Sequence, residues 1–200
     1  MLLYKKRQAS DEAKLAGIFD SLAHTALESC RRLKQLVARM QRFTNLDRAE
    51  EQVADVNELL KDTIGLLQSE LNQRAEVTLN LKPLPRLKCK PQQLSAVFLH
   101  LLRNAIAHLE EKGRISVRSV QSGAEIAIQV CDSGQGIAAE RLLHLFEPTL
   151  AVRGGRVTTS NWGLFTSRSI ILEQGGQIRI ESTEGKGTTV TVTLATAGWR

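Results

Sequence analysis

The stretch Val130-Cys-Asp-Ser-Gly-Gln-Gly-Ile137 constrains this chain more than any other. An apolar run, Ile126 to Val130, leads straight into Asp132 and then into two glycines one residue apart. An aspartate where a strand ends can point its carboxylate into a pocket and accept a hydrogen bond from an amine. Gly134 and Gly136 carry no Cβ, so they permit positive φ and let a flat ligand or its phosphates lie close to the backbone. The same letters also describe an Asx turn that closes a strand. The rest of the chain has to choose between a binding loop and a simple turn.

Composition narrows the classes. With 42% hydrophobic and 24% charged residues, the 200-residue chain reads as an ordinary globular protein with room for one good core and an appendage. It has no apolar run long enough to span a bilayer, and its start, M-L-L-Y-K-K-R-Q, lacks the order of a signal peptide. Cys30, Cys89 and Cys131 are odd in number and scattered, which suits unpaired thiols in a reducing compartment. His24, His100, His108 and His144 have no ligand-like pairing with cysteine, against structural zinc. We therefore expect a cytoplasmic location for this portion, leaving open a membrane tether elsewhere in a longer protein. The net charge of +6 is spread without a run of five like charges, and Phe 5, Trp 2 and Tyr 1 are too few for a base-stacking platform. A nucleic-acid reading rests on charge alone, and no nucleic-acid partner is expected.

In order, Ser10 or Asp11 can cap a long helix from about Glu12 to Asn45. Leu15, Ile18, Leu22, Ala26, Leu33, Val37 and Met40 draw one apolar stripe along it. About 34 residues make about 50 Å of helix, which wants a partner along its length, a hairpin or a dimeric bundle. His24 falls away from the stripe and reads first as a surface imidazole. Leu46 to Glu51 is polar and hinge-like. Gln52–Ala54 reads as a short strand, and Asp55 caps a helix to about Asn72. Val77–Leu81 and Arg86–Cys89 read as strands on either side of Pro83 and Pro85. Pro91 opens a helix with Leu94, Val97, Phe98, Leu101, Leu102, Ala105 and Leu109 inward, stopped by Gly113. His100, Asn104 and His108 share an adjacent face; such an Asn is either a satisfied core amide or an oxygen ligand for a hard cation. Arg114–Val120 and Glu125–Val130 form a hairpin, and Ala139–Phe146 makes one or two helical turns. Thr149–Asn161 lacks periodicity, and a loop of that length is functional or disordered. A helix from Gly163 to Gln174 and a closing hairpin, Ile178–Ser182 with Thr188–Leu194, complete the chain. The fold class is α+β, a two-layer α/β sandwich with helices on one face of a largely antiparallel sheet, preceded by the long helix.

Four separated motifs then line up. L-H-L-L-R-N-A-I-A-H-L (99–109) resembles the N box of sensor histidine kinases of two-component systems. D-S-G-Q-G-I (132–137) resembles their first glycine box, and L-F-E-P (145–148) their F box. W-G-L-F-T-S-R-S-I-I-L-E-Q-G-G-Q-I (162–178) with E-G-K-G-T-T-V-T-V resembles their second glycine box and the sheet after it. The resemblance covers about residues 50 to 195, and R-F-T-N-L resembles the end of the second dimerisation helix. It implies a Bergerat-type ATP-binding fold with residues 1–46 as a partial dimerisation hairpin, 47–52 as hinge, 53–195 as ATP-binding catalytic domain and 196–200 as tail.

The resemblance also implies ATP and Mg²⁺ as cofactors. Asp132 would read the adenine amino group, Gly134 and Gly136 would take the nucleotide against the backbone, and Asn104 would hold Mg²⁺. His108, Ile137, Leu164 and Thr188 would complete the nucleotide site. Residues 149–161 would be a lid with Arg153 and Arg156 against the phosphates, and Gly163 would open a helix whose N–H groups suit an anion. It further implies a homodimer through the long helix and a response regulator receiver domain as partner.

Three departures stand out. The family's lid end, roughly G-x-G-L-G-L, is here T-S-N-W-G-L, so Asn161 and Trp162 replace family residues and Gly163 alone of three glycines remains. His100 stands where the family has its first N-box Asn. No histidine has an acidic residue directly after it and Pro shortly beyond; His24, in S-L-A-H-T-A-L-E, looks like the approach to such a motif but has no adjacent acid and no Pro. The expectation is therefore a histidine protein kinase portion that binds Mg-ATP without phosphorylating itself, its acceptor histidine lying elsewhere. The alternative is a degenerate, non-catalytic scaffold or phosphotransfer adaptor.

Overall fold

The computed structural model describes residues 24, 27, 50–110, 112–153 and 156–196, with the backbone alone for 150–153 and 156–160. The chain divides into two units between Arg48 and Ala49. Of the first, His24 and Leu27 are helical and exposed. The expected helix from Glu12 to Asn45, and the dimerisation hairpin of 1–46, otherwise lie outside the described residues.

The second unit starts with β1 (Gln52–Ala54), which pairs antiparallel with β3 (Leu87–Cys89). Asp55 Oδ1 accepts from the N–H of Asn57 at 2.8 Å and of Glu58 at 3.3 Å, capping α1 (Val56–Leu66). The helix expected to reach Asn72 breaks at Leu67, whose N–H turns to the Ile64 carbonyl at 3.0 Å. Gly65, a poor helix residue, sits just before this tight turn. α2 (Gln68–Arg74) resumes and leads into β2 (Ala75–Leu81).

Pro91 takes the first position of α3 (Pro91–Ala107), as expected. The helix ends at Ala107 rather than running to Gly113, with His108 as its cap. Gly113 instead begins β4, where a Cβ would overlap the Leu109 side chain. Leu94, Phe98, Leu101 and Leu102 of α3 are buried, and α3 packs on α1, on β5 (Glu125–Asp132) and on α5 (Trp162–Glu173). Each such side chain contributes about 1.5–3 kcal/mol relative to leaving it in water.

The central sheet runs β2-β4-β5-β9-β8, with β4 (Gly113–Ser122), β5 (Glu125–Asp132), β8 (Gln177–Thr183) and β9 (Gly187–Ala195). All its neighbours are antiparallel except β2 and β4, which are parallel because β3 and α3 cross over between them. On β5, Ile126, Ile128 and Val130 face the helices and are buried, while Ala127, Gln129 and Cys131 face away and are partly exposed. This is the two-layer arrangement that period-2 alternation on one side of a sheet requires.

α4 (Ala139–Leu142) is a single turn. The expected aperiodic loop after it is an antiparallel hairpin, β6 (Thr149–Arg153) with β7 (Arg156–Ser160). α5 (Trp162–Glu173) follows, with Ile170 and Ile171 buried but Leu172 exposed.

Candidate functional site

The floor of the site is the end of β5. Asp132 is its last residue and pairs with Thr188 across to β9. Asp132 Oδ1 accepts from the Gly134 N–H at 2.9 Å, so the Asx turn and the pocket are one structure. Burial pushes the Asp132 carboxyl above the ordinary aspartate range; N–H donors of Gly134 and Thr188 and the nearby His108 pull it partly back.

The two glycines of this loop answer to protein backbone. A Cβ on Gly134 would overlap the carbonyl of His108, which also accepts from the Gln135 N–H at 3.2 Å. Gly136 has φ 67, and a Cβ there would overlap the Thr183 carbonyl. The Gly185 N–H donates to the Gln135 carbonyl at 2.7 Å, and the Ile137 N–H to Ser182 Oγ at 2.9 Å. The loop is thus clamped between the end of α3 and the β8–β9 turn. Gly134, expected to meet a ligand, is buried and is not among the residues that line the cavity; of the pair, Gly136 reaches the lining.

One wall is α3. His100, Asn104 and His108 recur every fourth residue and all three face the cavity. The Asn104 side-chain amide nitrogen lies 2.9 Å from His100 Nε2, and His108 Nδ1 lies 2.7 Å from the main-chain carbonyl oxygen of Asn104. Burial, with a smaller contribution from the Arg103 charge, pushes the His100 pKa below the ordinary imidazole value. Ile137, Leu145, Ile180 and Val190 add apolar surface to the lining.

The third side is the start of α5. Asn161 precedes it in the left-handed conformation, with φ 62 and ψ 3. Its amide nitrogen donates to the carbonyls of His144 at 3.2 Å and Glu147 at 3.4 Å. Gly163 and Leu164 line the cavity from the first turn of α5.

The enclosed space is about 330 Å³. Asn104, His108, Asp132, Gly136, Ile137, Gly163, Leu164 and Thr188 come together around it. Arg153 and Arg156 face each other at the end of the β6–β7 hairpin, and their side chains lie outside what is described. Residues not expected in the lining include His100, Gln135, Arg141, Asn161, Ile180 and Val190. Ile180 and Val190 could have been found from the alternation of the closing hairpin. Among the described residues no group of three or more His, Cys, Asp or Glu could hold a metal ion. Asn104 offers a single hard oxygen donor, which fits a cation like Mg²⁺ that keeps most of its shell as phosphate oxygens and water.

Residues 89–198 match the family described as histidine kinase-, DNA gyrase B-, and HSP90-like ATPase. The chain is 31% identical over 188 residues to the sensor histidine kinase ZraS of Escherichia coli K12, covering 92% of this chain and 40% of ZraS. It is 35% identical over 144 residues to sporulation kinase E of Bacillus subtilis 168, covering 70% of this chain and 19% of that kinase. Its fold matches the crystal structure of full-length ShkA in complex with AMPPNP at a TM-score of 0.70, with 21% identity, over 86% of this chain and 38% of that one. This chain therefore spans well under half the length of these relatives.

Proposed function

The chain belongs to the histidine kinase-, DNA gyrase B- and HSP90-like ATPase family, and on that premise we propose that its 49–200 unit binds Mg-ATP for a two-component sensor histidine kinase. The γ-phosphate would pass to a histidine of that kinase and then to an aspartate of a response regulator receiver domain. A homodimer built through the N-terminal helix and a cytoplasmic location of this portion belong to the same proposal.

One observation carries the reading. Asp132 places a half-buried carboxylate in the lining of a cavity that Ile137, Leu145, Ile180 and Val190 also line. A purine slot needs this pairing, an apolar surface for the ring and one fixed acceptor for an exocyclic amine. Asp132 would accept from the adenine 6-amino group. Ile137, Ile180 and Val190 would cover the ring and exclude water. Asn104 would hold Mg²⁺, which when bound offsets phosphate charge. Gly163 and Leu164 would bring the first N–H groups of α5 to the phosphates. These residues position and compensate charge, which is what phosphoryl transfer asks of a protein.

The scaffold alternative draws on the altered lid end. Asn161 weakens it, because it adopts the left-handed conformation that a glycine would supply. The test is displacement of a fluorescent ATP analogue. ATP should displace it at least about tenfold better than GTP, whose 6-oxo group puts an acceptor against Asp132. Equal displacement by the two, or none by either, would contradict the proposal.

A further inference from the structure

Asn104 uses its side-chain donor within the protein. Its amide nitrogen lies 2.9 Å from His100 Nε2. An amide NH₂ has no lone pair to offer a proton, so His100 Nε2 must be the acceptor and its proton must sit on Nδ1. A planar amide with its nitrogen fixed on one side has its oxygen fixed on the other. Without His100, the Asn104 side chain could rotate and offer either atom to the cavity.

The imidazole is itself held by what faces it. A Cβ on Gly163 would overlap Cε1, Nε2 and Nδ1 of His100 at once. Gly163 does not need its glycine for backbone conformation, since Gly123, Gly136, Gly175, Gly185 and Gly187 are the glycines with positive φ among the described residues. Its missing Cβ is space for the His100 ring. α3 and α5 are therefore joined at the cavity by a chain of contacts from Gly163 to His100 to Asn104.

We propose that His100 is a positioning residue for the cation of the bound nucleotide, fixing the Asn104 amide so that Oδ1 is the atom offered, and that Gly163 is glycine to admit the His100 ring. This rests on the reading of the cavity as a Mg-nucleotide site. His100 touches neither the cation nor the reacting atoms in this account; it acts through Asn104.

The experiment is calorimetric titration of the full chain with ATP, in Mg²⁺ and in EDTA. The variants are His100→Leu, His100→Gln, Asn104→Ala and the double variant His100→Leu with Asn104→Ala. His100→Leu keeps bulk and removes the acceptor, so the tightening brought by Mg²⁺, read as the ratio of affinities in Mg²⁺ and in EDTA, should fall about 3–10-fold. His100→Gln can place Oε1 near the position of Nε2 and should restore most of it. His100→Leu should add nothing to Asn104→Ala. Gly163→Ala should weaken binding in the unmutated background and be tolerated beside His100→Ala; damage that persists there would remove the steric pairing. Ring ¹⁵N shifts of His100 in nucleotide-free protein give an independent readout, with the Nδ1-protonated tautomer expected and the Nε2-protonated one overturning the proposal. If the unmutated chain bound ATP with a Mg²⁺ dependence that His100→Leu left whole, the positioning role alone would fall. If it bound no nucleotide, the reading of the cavity would fall and take the positioning role with it.

Discussion

The Asn161 side-chain nitrogen lies 3.2 Å from the main-chain oxygen of His144, tying the start of α5 back to the turn after α4. Asn161 does this from φ 62, a conformation that costs most L-residues about 1–2 kcal/mol and that Asn tolerates best. Two substitutions separate its two jobs. Asn161→Gly keeps the backbone and loses the tie, while Asn161→Ala loses both. Urea unfolding should show Asn161→Ala less stable than the unmutated chain by about 1–2 kcal/mol, with Asn161→Gly closer to it. Equal losses in the two variants would mean the left-handed backbone carries no cost here.

Asp132 sets function against stability. Its carboxyl binds a proton more tightly in the folded protein than in the unfolded chain, because burial outweighs the N–H donors. A carboxyl raised in this way favours the folded state at low pH, and that advantage is lost as pH rises through its folded value. At neutral pH the nucleotide-free Asp132→Asn protein should therefore melt higher than the unmutated one. The gap should close as pH falls below the ordinary aspartate value of about 4. Melting curves from about pH 3 to 8 would show it, and a gap that widens toward acid would be the wrong sign.

Asp55 is a cap with both bonds in place, to Asn57 and Glu58. Asp55→Ala should cost about 1 kcal/mol of unfolding free energy while leaving nucleotide affinity unchanged, since Asp55 does not line the cavity. Denaturant unfolding and ATP titration on the same sample would test both halves.

Much of this could be read in the chain, and the failures have physical causes. The apolar face of α3 and the alternation of β4, β5 and β9 are strong periodic patterns, and the buried side chains follow them. The rule that two His and one Asn at four-residue spacing share a face put one wall of the cavity in view. The hairpin β6–β7 was missed because its polar threonines hid a β-branched run about Gly154-Gly155, which is itself a hairpin signal. The positive φ of Gly136 was expected, but the packing that requires glycine at 134 and 136 was not legible. Their crowding partners, the carbonyls of His108 and Thr183, lie far along the chain, and no local pattern announces them. The role of Asn161 was invisible for the same reason, since a replaced glycine looks like a loss until its φ is known.

Calorimetric titration of the unmutated chain and of Asp132→Asn with ATP in Mg²⁺ asks whether Asp132 holds the nucleotide. The account predicts saturable binding that Asp132→Asn weakens by about 10–100-fold, the worth of a hydrogen bond to a charged acceptor. Undiminished binding by Asp132→Asn would contradict the account.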